Sequence, residues 1–445
     1  MTDIKFDILP QRSAVLADHS TELFALVRAQ APSRPSGKET NRMPLNLSLV
    51  LDRSGSMSGK PLEEAKRCAS YIVDQLDGRD RVSLVVYDNR VEVLVPSTHV
   101  TDKSAIKRVI DGVHSGGSTN LFSGWEEGAK QCLIAAGGDC LSRVLLLSDG
   151  CANHGLTGVE EIASFLTEML EAGVSTSTYG LGGHFNEELM VEMAKSGSGQ
   201  SYYGESAEDL LDPFQEEFSL MSAMCARQMK LTLTAPIGVQ FELLNDYRHL
   251  TGTTWQMPDL AYEGEAWALV KLTVSEDVPV DDKTGDLEVL RSFLSYADIE
   301  LDAPDTRSYT LRLPRVDASA WAAIAMDDRV TGRVQEIRVA QLQSEVREAA
   351  LQRDWDSVDR LIAQAEEEAG DNAWVKESLQ TLKRYARSRD RERMSKEAIY
   401  ASRKMSNRLA EHNEDSRTYF QEVESSKAGY LRKKREQGKR MGRRD

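Results

Sequence analysis

The stretch LNLSLVL at Leu45–Leu51, ending abruptly at Asp52, most narrows what this 445-residue chain can fold into. A strand with one wet face alternates apolar and polar residues. A run this apolar, broken only by small polar residues, suits a strand covered on both faces, as in a parallel sheet. Val82–Tyr87, Val144–Leu147 and Val174–Leu181 are of the same kind. Helical patterns lie between them. Lys60–Leu76 opens with Pro61, which suits a first helical turn, and repeats Leu62, Ala65, Ala69, Ile72, Val73 and Leu76 at helical spacing. Lys103–Val113, Leu121–Ala136, Val159–Ala172, Asn186–Lys195 and Ala207–Ala223 follow. Strands alternating with helices from Pro44 to Met221 predict an α/β, doubly wound, mostly parallel sheet with helices on both faces. Val91–Val95, just after the turn at Asp88-Asn89, reads as an antiparallel hairpin partner.

The flanks have a different period. From Cys225 to Leu313 apolar residues recur every second position: MKLTLT at Met229–Thr234, then Ile237, Val239, Phe241 and Leu243, then Ala266, Ala268, Val270, Leu272 and Val274, then Tyr309, Leu311 and Leu313. Half-buried antiparallel strands with turns at Thr251-Gly252 and Lys283-Thr284-Gly285 predict a β-sandwich. Ile4, Phe6 and Ile8 alternate in the same way, and Leu23–Val27 is a second apolar run. The N-terminal strands are therefore expected to complete the sandwich, with the α/β domain inserted into it. Arg28–Asn41 reads as the linker. After Pro314 the pattern turns helical through Val334, Ile337, Val339, Leu342 and Val346, then Trp355, Val358, Leu361 and Ile362, then Val375, Leu379 and Leu382. Trp355 and Trp374 are expected in that helical core. The expected organisation is N-terminal strands and linker over 1–40, α/β domain over 41–223, β-sandwich over 224–315, helical hairpin or bundle over 316–387, and exposed helix with basic tail over 388–445.

The net charge of −16 argues against nucleic acid as a general partner, because an acidic chain repels phosphate backbones. The exception is the end of the chain, where nine Lys or Arg and only two acids follow from Lys427, a pattern typical of a solvated tail. Five cysteines, Cys68, Cys132, Cys140, Cys151 and Cys225, are odd in number and irregular in spacing, which argues against a disulfide framework and against zinc. The N-terminus has no basic segment followed by an apolar core, so no signal peptide is expected. No apolar run reaches the roughly 18 residues that a membrane helix needs. The expected location is the cytoplasm.

Three oxygen-bearing side chains, Asp52, Ser54 and Ser56, follow the first buried strand at alternating positions. In an open α/β sheet the functional crevice lies beyond the carboxyl ends of the strands. Gly55 and Gly59 let the loop curl there. Two further segments suit the same crevice: the Gly-rich SGGSTN at Ser115–Asn120, and Ser148-Asp149-Gly150 at the end of Val144–Leu147. Hydroxyls and carboxylates without Cys or His at ligand spacing favour Mg²⁺, with Mn²⁺ or Ca²⁺ possible, and disfavour zinc and copper.

Asp52, Ser54 and Ser56 in DxSxS, Thr119 within GGSTN and Asp149 in SDG resemble the metal-ion-dependent adhesion site of von Willebrand factor A-type domains. The likeness covers about residues 44–223, continuing through Asn153, Gly155 and Tyr179–Gly182. Integrin inserted domains and inter-alpha-trypsin-inhibitor heavy chains share this pattern. The order of sandwich, inserted domain and C-terminal helices is similar to bacterial proteins labelled Ca-activated chloride channel homologues. The resemblance implies that Ser54, Ser56 and Thr119 bind the metal directly, that Asp52 and Asp149 act through water or hydrogen bonds, and that a partner's Glu or Asp completes the shell. It also implies a non-enzymatic protein-binding module, with an AAA-type ATPase or another complex component as partner. Mg²⁺-assisted hydrolysis is the alternative, and a purely structural metal in an oligomerisation scaffold is a third reading. Cys151 and His154 could form a nucleophile pair, but neither belongs to the metal motif and no orienting residue accompanies them. His184 reads as an exposed loop residue. Trp125 is expected to pack its helix, with an interface anchor as the other reading.

Overall fold

The computed structural model describes residues 3–33, 42–135, 140–149, 154–181, 186–204, 207–280, 285–299, 303–370, 372–407 and 410–411. The chain divides into two compact units. One is built from residues 1–36 together with 224–445, and the other spans Gly37–Ala223.

The first unit starts with β1 (Lys5–Pro10), β2 (Val15–Leu16) and β3 (Thr21–Gln30). The chain then passes through the second unit: β4 (Leu45–Asp52), α1 (Lys60–Gln75), β5 (Arg81–Tyr87), β6 (Val91–His99), α2 (Lys103–Asp111), α3 (Leu121–Leu133), β7 (Leu141–Ser148), α4 (Val159–Glu171), β8 (Val174–Leu181), α5 (Glu187–Ser196), β9 (Ser201–Gly204) and α6 (Ala207–Ser222). Its sheet has the order β6-β5-β4-β7-β8-β9. Every pair is parallel except the β5–β6 hairpin. Every residue of β4, β7 and β8 is buried, which is why their sequences lack an alternating polar face.

Helix α3 lies unusually close to this sheet. A Cβ on Gly124 would sit 2.4 Å from Tyr87 Cδ1, and one on Gly128 would sit 2.3 Å from Val50 Cγ2. Trp125 is buried on the same helix, its Nε1 donating to Thr176 Oγ1 at 3.0 Å. It packs the helix and is not available as an interface anchor.

After α6 the first unit resumes with β10 (Met224–Thr234), β11 (Val239–Leu243), β12 (Arg248–His249), β13 (Thr254–Gln256), β14 (Leu260–Ala261), β15 (Gly264–Val274), β16 (Asp286–Asp298) and β17 (Ala303–Val316). Two sheets result, β1-β3-β15-β11 and β12-β13-β10-β16-β17-β2. The N-terminal strands join both: β3 runs antiparallel to β15, and β2 parallel to β17. The helices α7 (Ala318–Ala323), α8 (Asp328–Leu351), α9 (Trp355–Glu368), α10 (Ala373–Ser388) and α11 (Arg391–Asn407) follow, and a two-residue β18 (Ala410–Glu411) returns to β15.

Three features depart from the sequence expectations. Strand β15 is not half-buried, since every residue from Gly264 to Val270 is buried. Trp267 and Leu269 pack with Leu26 against Val330, Val334 and Ile337 of α8, so a helix covers the face that alternation would leave wet. The helix after Ser388 is not an exposed one. Met394, Ala398 and Met405 of α11 join the core formed with α8, α9 and α10. Ser402 Oγ donates to the Ala340 carbonyl at 2.7 Å, and small residues of this kind allow a close approach without many large apolar side chains. Ile237 is 96% exposed because it belongs to the turn before β11 and not to the strand.

Trp355 is half-buried against the helical core. The side chain of Trp374, the turn at Lys283-Thr284 and the basic tail from Lys427 lie outside the described residues. Among the described residues no helix is long and apolar enough to cross a membrane.

Candidate metal centre

Strands β4 and β7 are neighbours in register, with Leu51 beside Leu147. They bring Asp52 and Ser148 together at the carboxyl edge of the sheet. Ser148 Oγ donates to Asp52 Oδ2 at 2.6 Å, the Ser54 amide donates to Asp52 Oδ1 at 2.8 Å, and Tyr87 OH donates to Oδ2 at 3.3 Å. All three donors are neutral. Asp52 is fully buried, and that burial pushes its carboxyl up to about 6 despite the hydrogen bonds from Ser148 and Ser54 and with a small further push from Asp149. Burial likewise holds the Tyr87 hydroxyl well above its ordinary range, with the charge of Asp52 adding to it.

The loop beyond Asp52 curls through a short 3₁₀ turn, Gly55–Met57, and through Gly59 at φ 79°. This brings Ser54 Oγ within 3.1 Å of Ser56 Oγ. Ser54 is buried, whereas Ser56 is exposed. The Thr119 loop is fastened directly to this one. The Gly116 amide donates to the Arg53 carbonyl at 2.6 Å, and the Gly55 amide donates to the Gly117 carbonyl at 2.8 Å. Thr119 and Asp149 are both buried. Asn120 caps α3 by accepting from the Ser123 amide, and the His154 amide donates to the Thr119 carbonyl at 3.1 Å. Gly155 has φ 75°, and a Cβ there would lie 2.5 Å from Asn120 Oδ1. The chain returning from β7 thus rests on the Thr119 loop.

The five residues singled out from sequence are carried by the ends of β4 and β7 and by the loop between α2 and α3, which is hydrogen-bonded to the loop after β4. Their donor chemistry fits a hard divalent cation: two carboxylates and three hydroxyls, all oxygen, with a fully buried acid that meets no basic side chain among its hydrogen-bond partners. Among the described residues no three His, Cys, Asp or Glu side chains gather to hold a metal, and at this edge hydroxyls outnumber carboxylates. Cys151, Asn153 and His184 lie outside the described residues, and His154 is exposed. Sequence reading passed over Tyr87 and gave Ser148, named only with its segment, no role of its own, although each is the last residue of a buried strand, which is the position that aims a side chain into the crevice.

Residues 46–217 match the family model of the von Willebrand factor type A domain. This part of the chain is a von Willebrand factor type A domain. The chain is 33% identical over 183 residues to the uncharacterized protein sll0103 of Synechocystis sp., covering 41% of this chain and 42% of that one. It is 29% identical over 211 residues to the uncharacterized protein YfbK of Escherichia coli, covering 46% and 35%. It thus spans less than half the length of these curated relatives. Among solved structures, a von Willebrand factor type A protein from Catenulispora acidiphila matches with a TM-score of 0.66 at 16% identity, covering 86% of this chain and 90% of that one. The ArnB paralog VWA2 from Sulfolobus acidocaldarius matches with a TM-score of 0.62 at 16% identity, covering 91% and 99%. At these identities the likeness speaks for the fold.

Proposed function

We propose that Asp52, Ser54, Ser56, Thr119 and Asp149 hold one divalent cation, Mg²⁺ with Mn²⁺ or Ca²⁺ as alternatives, and that the protein uses it to bind an acidic residue of a partner protein. The observation that carries this reading is Asp52, a fully buried carboxylate met only by neutral donors. A buried charge without a counter-charge is costly, and a bound cation offsets that cost. When bound, the cation supplies a positive centre that attracts an anionic oxygen. The chain's own part is to keep the centre electron-poor. With the hydroxyls of Ser54, Ser56 and Thr119 as direct ligands and the two aspartates acting through water, the cation keeps much of its positive charge. A single carboxylate contact gives modest affinity, and the surrounding surface sets which partner is accepted.

We read the site as a binding module and not as an enzyme. Ser148 and Tyr87 donate to Asp52, and Tyr87 is held protonated, so neither serves as a base. An AAA-type ATPase or another member of a bacterial complex, in the cytoplasm, is the partner class that the family resemblance suggests.

Calorimetric titration of Mg²⁺ into the full chain tests the proposal, alongside partner capture in Mg²⁺ and in EDTA. The expected result is saturable binding of one ion, lost in Asp52→Ala, with capture lost in EDTA and in the variant alike. Absence of Mg²⁺ binding, or equal binding by Asp52→Ala, overturns it.

A further inference from the structure

We infer that Asp88, which the metal motif does not contain, is the positioning residue that sets the spacing between the two loops of the metal centre, with Arg53 as its arm. The inference rests on the proposed metal-binding reading and names the residue that makes the site's geometry.

Asp88 follows Tyr87 directly, at the end of β5, and is 6% exposed. Its four polar groups are spent on three segments. Its Oδ1 accepts the Arg90 amide at 2.7 Å, and its own amide donates to the Arg90 carbonyl at 2.9 Å, which closes the turn of the β5–β6 hairpin. Its Oδ2 accepts from Arg53 Nε at 3.1 Å. Its carbonyl accepts the amide of Asn120, the residue next to Thr119, at 2.9 Å. One residue therefore grips the loop of Asp52, Ser54 and Ser56 through Arg53, and the loop of Thr119 through Asn120.

Contact reinforces these bonds. A Cβ on Gly116 would fall 1.9 Å from Asp88 Oδ2, so the Thr119 loop lies directly on the Asp88 carboxylate. Gly116 must lack a side chain for that loop to come down far enough for its amide to reach the Arg53 carbonyl. Arg53 itself stands between two of the metal-site residues in sequence. Its side chain is 19% exposed, and its other partner, Glu92, is 55% exposed. The outer pair is the weaker one, since ion pairs at an exposed carboxylate contribute little. The inner pair fixes the arm. Partners behind metal ligands of this kind affect affinity because hydroxyl ligands must converge within tenths of an ångström.

Asp88→Asn tests this with almost no change of shape. An amide offers one acceptor and one donor where two acceptors are needed, so either Arg53 Nε or the Arg90 amide meets an N–H group. The expected result is an Mg²⁺ affinity lower by about ten-fold or more, measured on protein shown to be folded in EDTA, with some loss of thermal stability from the unsatisfied donor. Arg53→Gln is expected to weaken Mg²⁺ in the same sense, and Arg53→Lys to retain more of it. Gly116→Ala is expected to weaken Mg²⁺ strongly alone and much less in an Asp88→Ala background, because the clash is then gone. If Asp88→Asn does not fold, the Arg53 pair decides the matter, and unchanged Mg²⁺ affinity in Arg53→Gln then overturns the inference. Unchanged Mg²⁺ affinity in Asp88→Asn and Arg53→Gln, with the unaltered protein binding normally, overturns the inference alone. An unaltered protein that binds no Mg²⁺ overturns the metal reading and this inference with it.

Discussion

Asp52 and Glu217 are both deeply buried within the von Willebrand factor type A domain, and the chain treats these two carboxylates in opposite ways. Asp52 receives only neutral donors, whereas Glu217 on α6 is paired with the buried Arg143 at 2.7 Å and accepts from Ser177 and Tyr179 as well. Burial, then the charge of Glu217, holds the Tyr179 hydroxyl well above its ordinary range, so it stays a donor. Asp52 was legible in the sequence because its neighbours share a spacing with a chemical meaning. Glu217 was not, since a Glu in FQEEF on an amphipathic helix reads as a solvated face. The available signal was Arg143, a lone cation in a strand otherwise covered on both sides, which demands an acid somewhere. Glu217→Gln leaves that buried guanidinium without the charge of Glu217, and is expected to lower stability by about 3–5 kcal/mol. Arg143→Met combined with Glu217→Met is expected to cost far less, because the pair's desolvation is removed together with its attraction. Urea unfolding of the three proteins checks this, and a single variant as stable as the double one contradicts it.

At the scale of elements, periodicity located the helices and strands but not how closely they approach. Helix α3 carries Gly124 and Gly128, which sequence reasoning counts only as weak helix formers. Their reason is the sheet: Tyr87 and Val50 occupy the space where a Cβ would stand. Helix α11 failed to register as packed for a related reason, since its seam against α8 uses serine and alanine, which carry no strong apolar signal. The same physics gives glycine two opposite outcomes. Gly128→Ala is expected to destabilise by about 1–3 kcal/mol through overpacking, although alanine is the better helix former. Gly332, within α8, has nothing within 4 Å of its virtual Cβ. Gly332→Ala is therefore expected to stabilise by roughly 0.5–1 kcal/mol. Denaturant midpoints of the two variants should move in opposite directions, and a shared direction would refute the close-approach argument.

At the scale of the whole molecule, the period-two pattern at both ends of the chain carried the sandwich, and the buried runs between them carried the doubly wound sheet. What alternation could not carry was the second covering of β15, because a helix more than fifty residues later in the chain supplies it. The seam between β15 and α8 is apolar at Trp267, Leu269, Val330, Val334 and Ile337. Beside it lie buried charges: Glu265 sits 3.6 Å from Arg28 and 3.8 Å from Arg333, and Arg333 also pairs with Glu336 and lies 4.7 Å over the Trp267 ring. The contact of Glu265 with Arg333 exists only while α8 lies on β15, and opening the seam would expose its apolar residues to water. The sandwich and the helices should therefore lose structure together. Ile337→Ala, which removes 1%-exposed apolar volume from the seam, is expected to cost about 2–5 kcal/mol. The measurement is native-state hydrogen exchange, which resolves separately opening regions where a single unfolding curve does not. Protection should fall in β3 and β15 as well as in α8 and α9. Loss confined to the helices, with β3 and β15 as protected as before, would mean that the helical region folds as an independent body resting on a sandwich that does not need it.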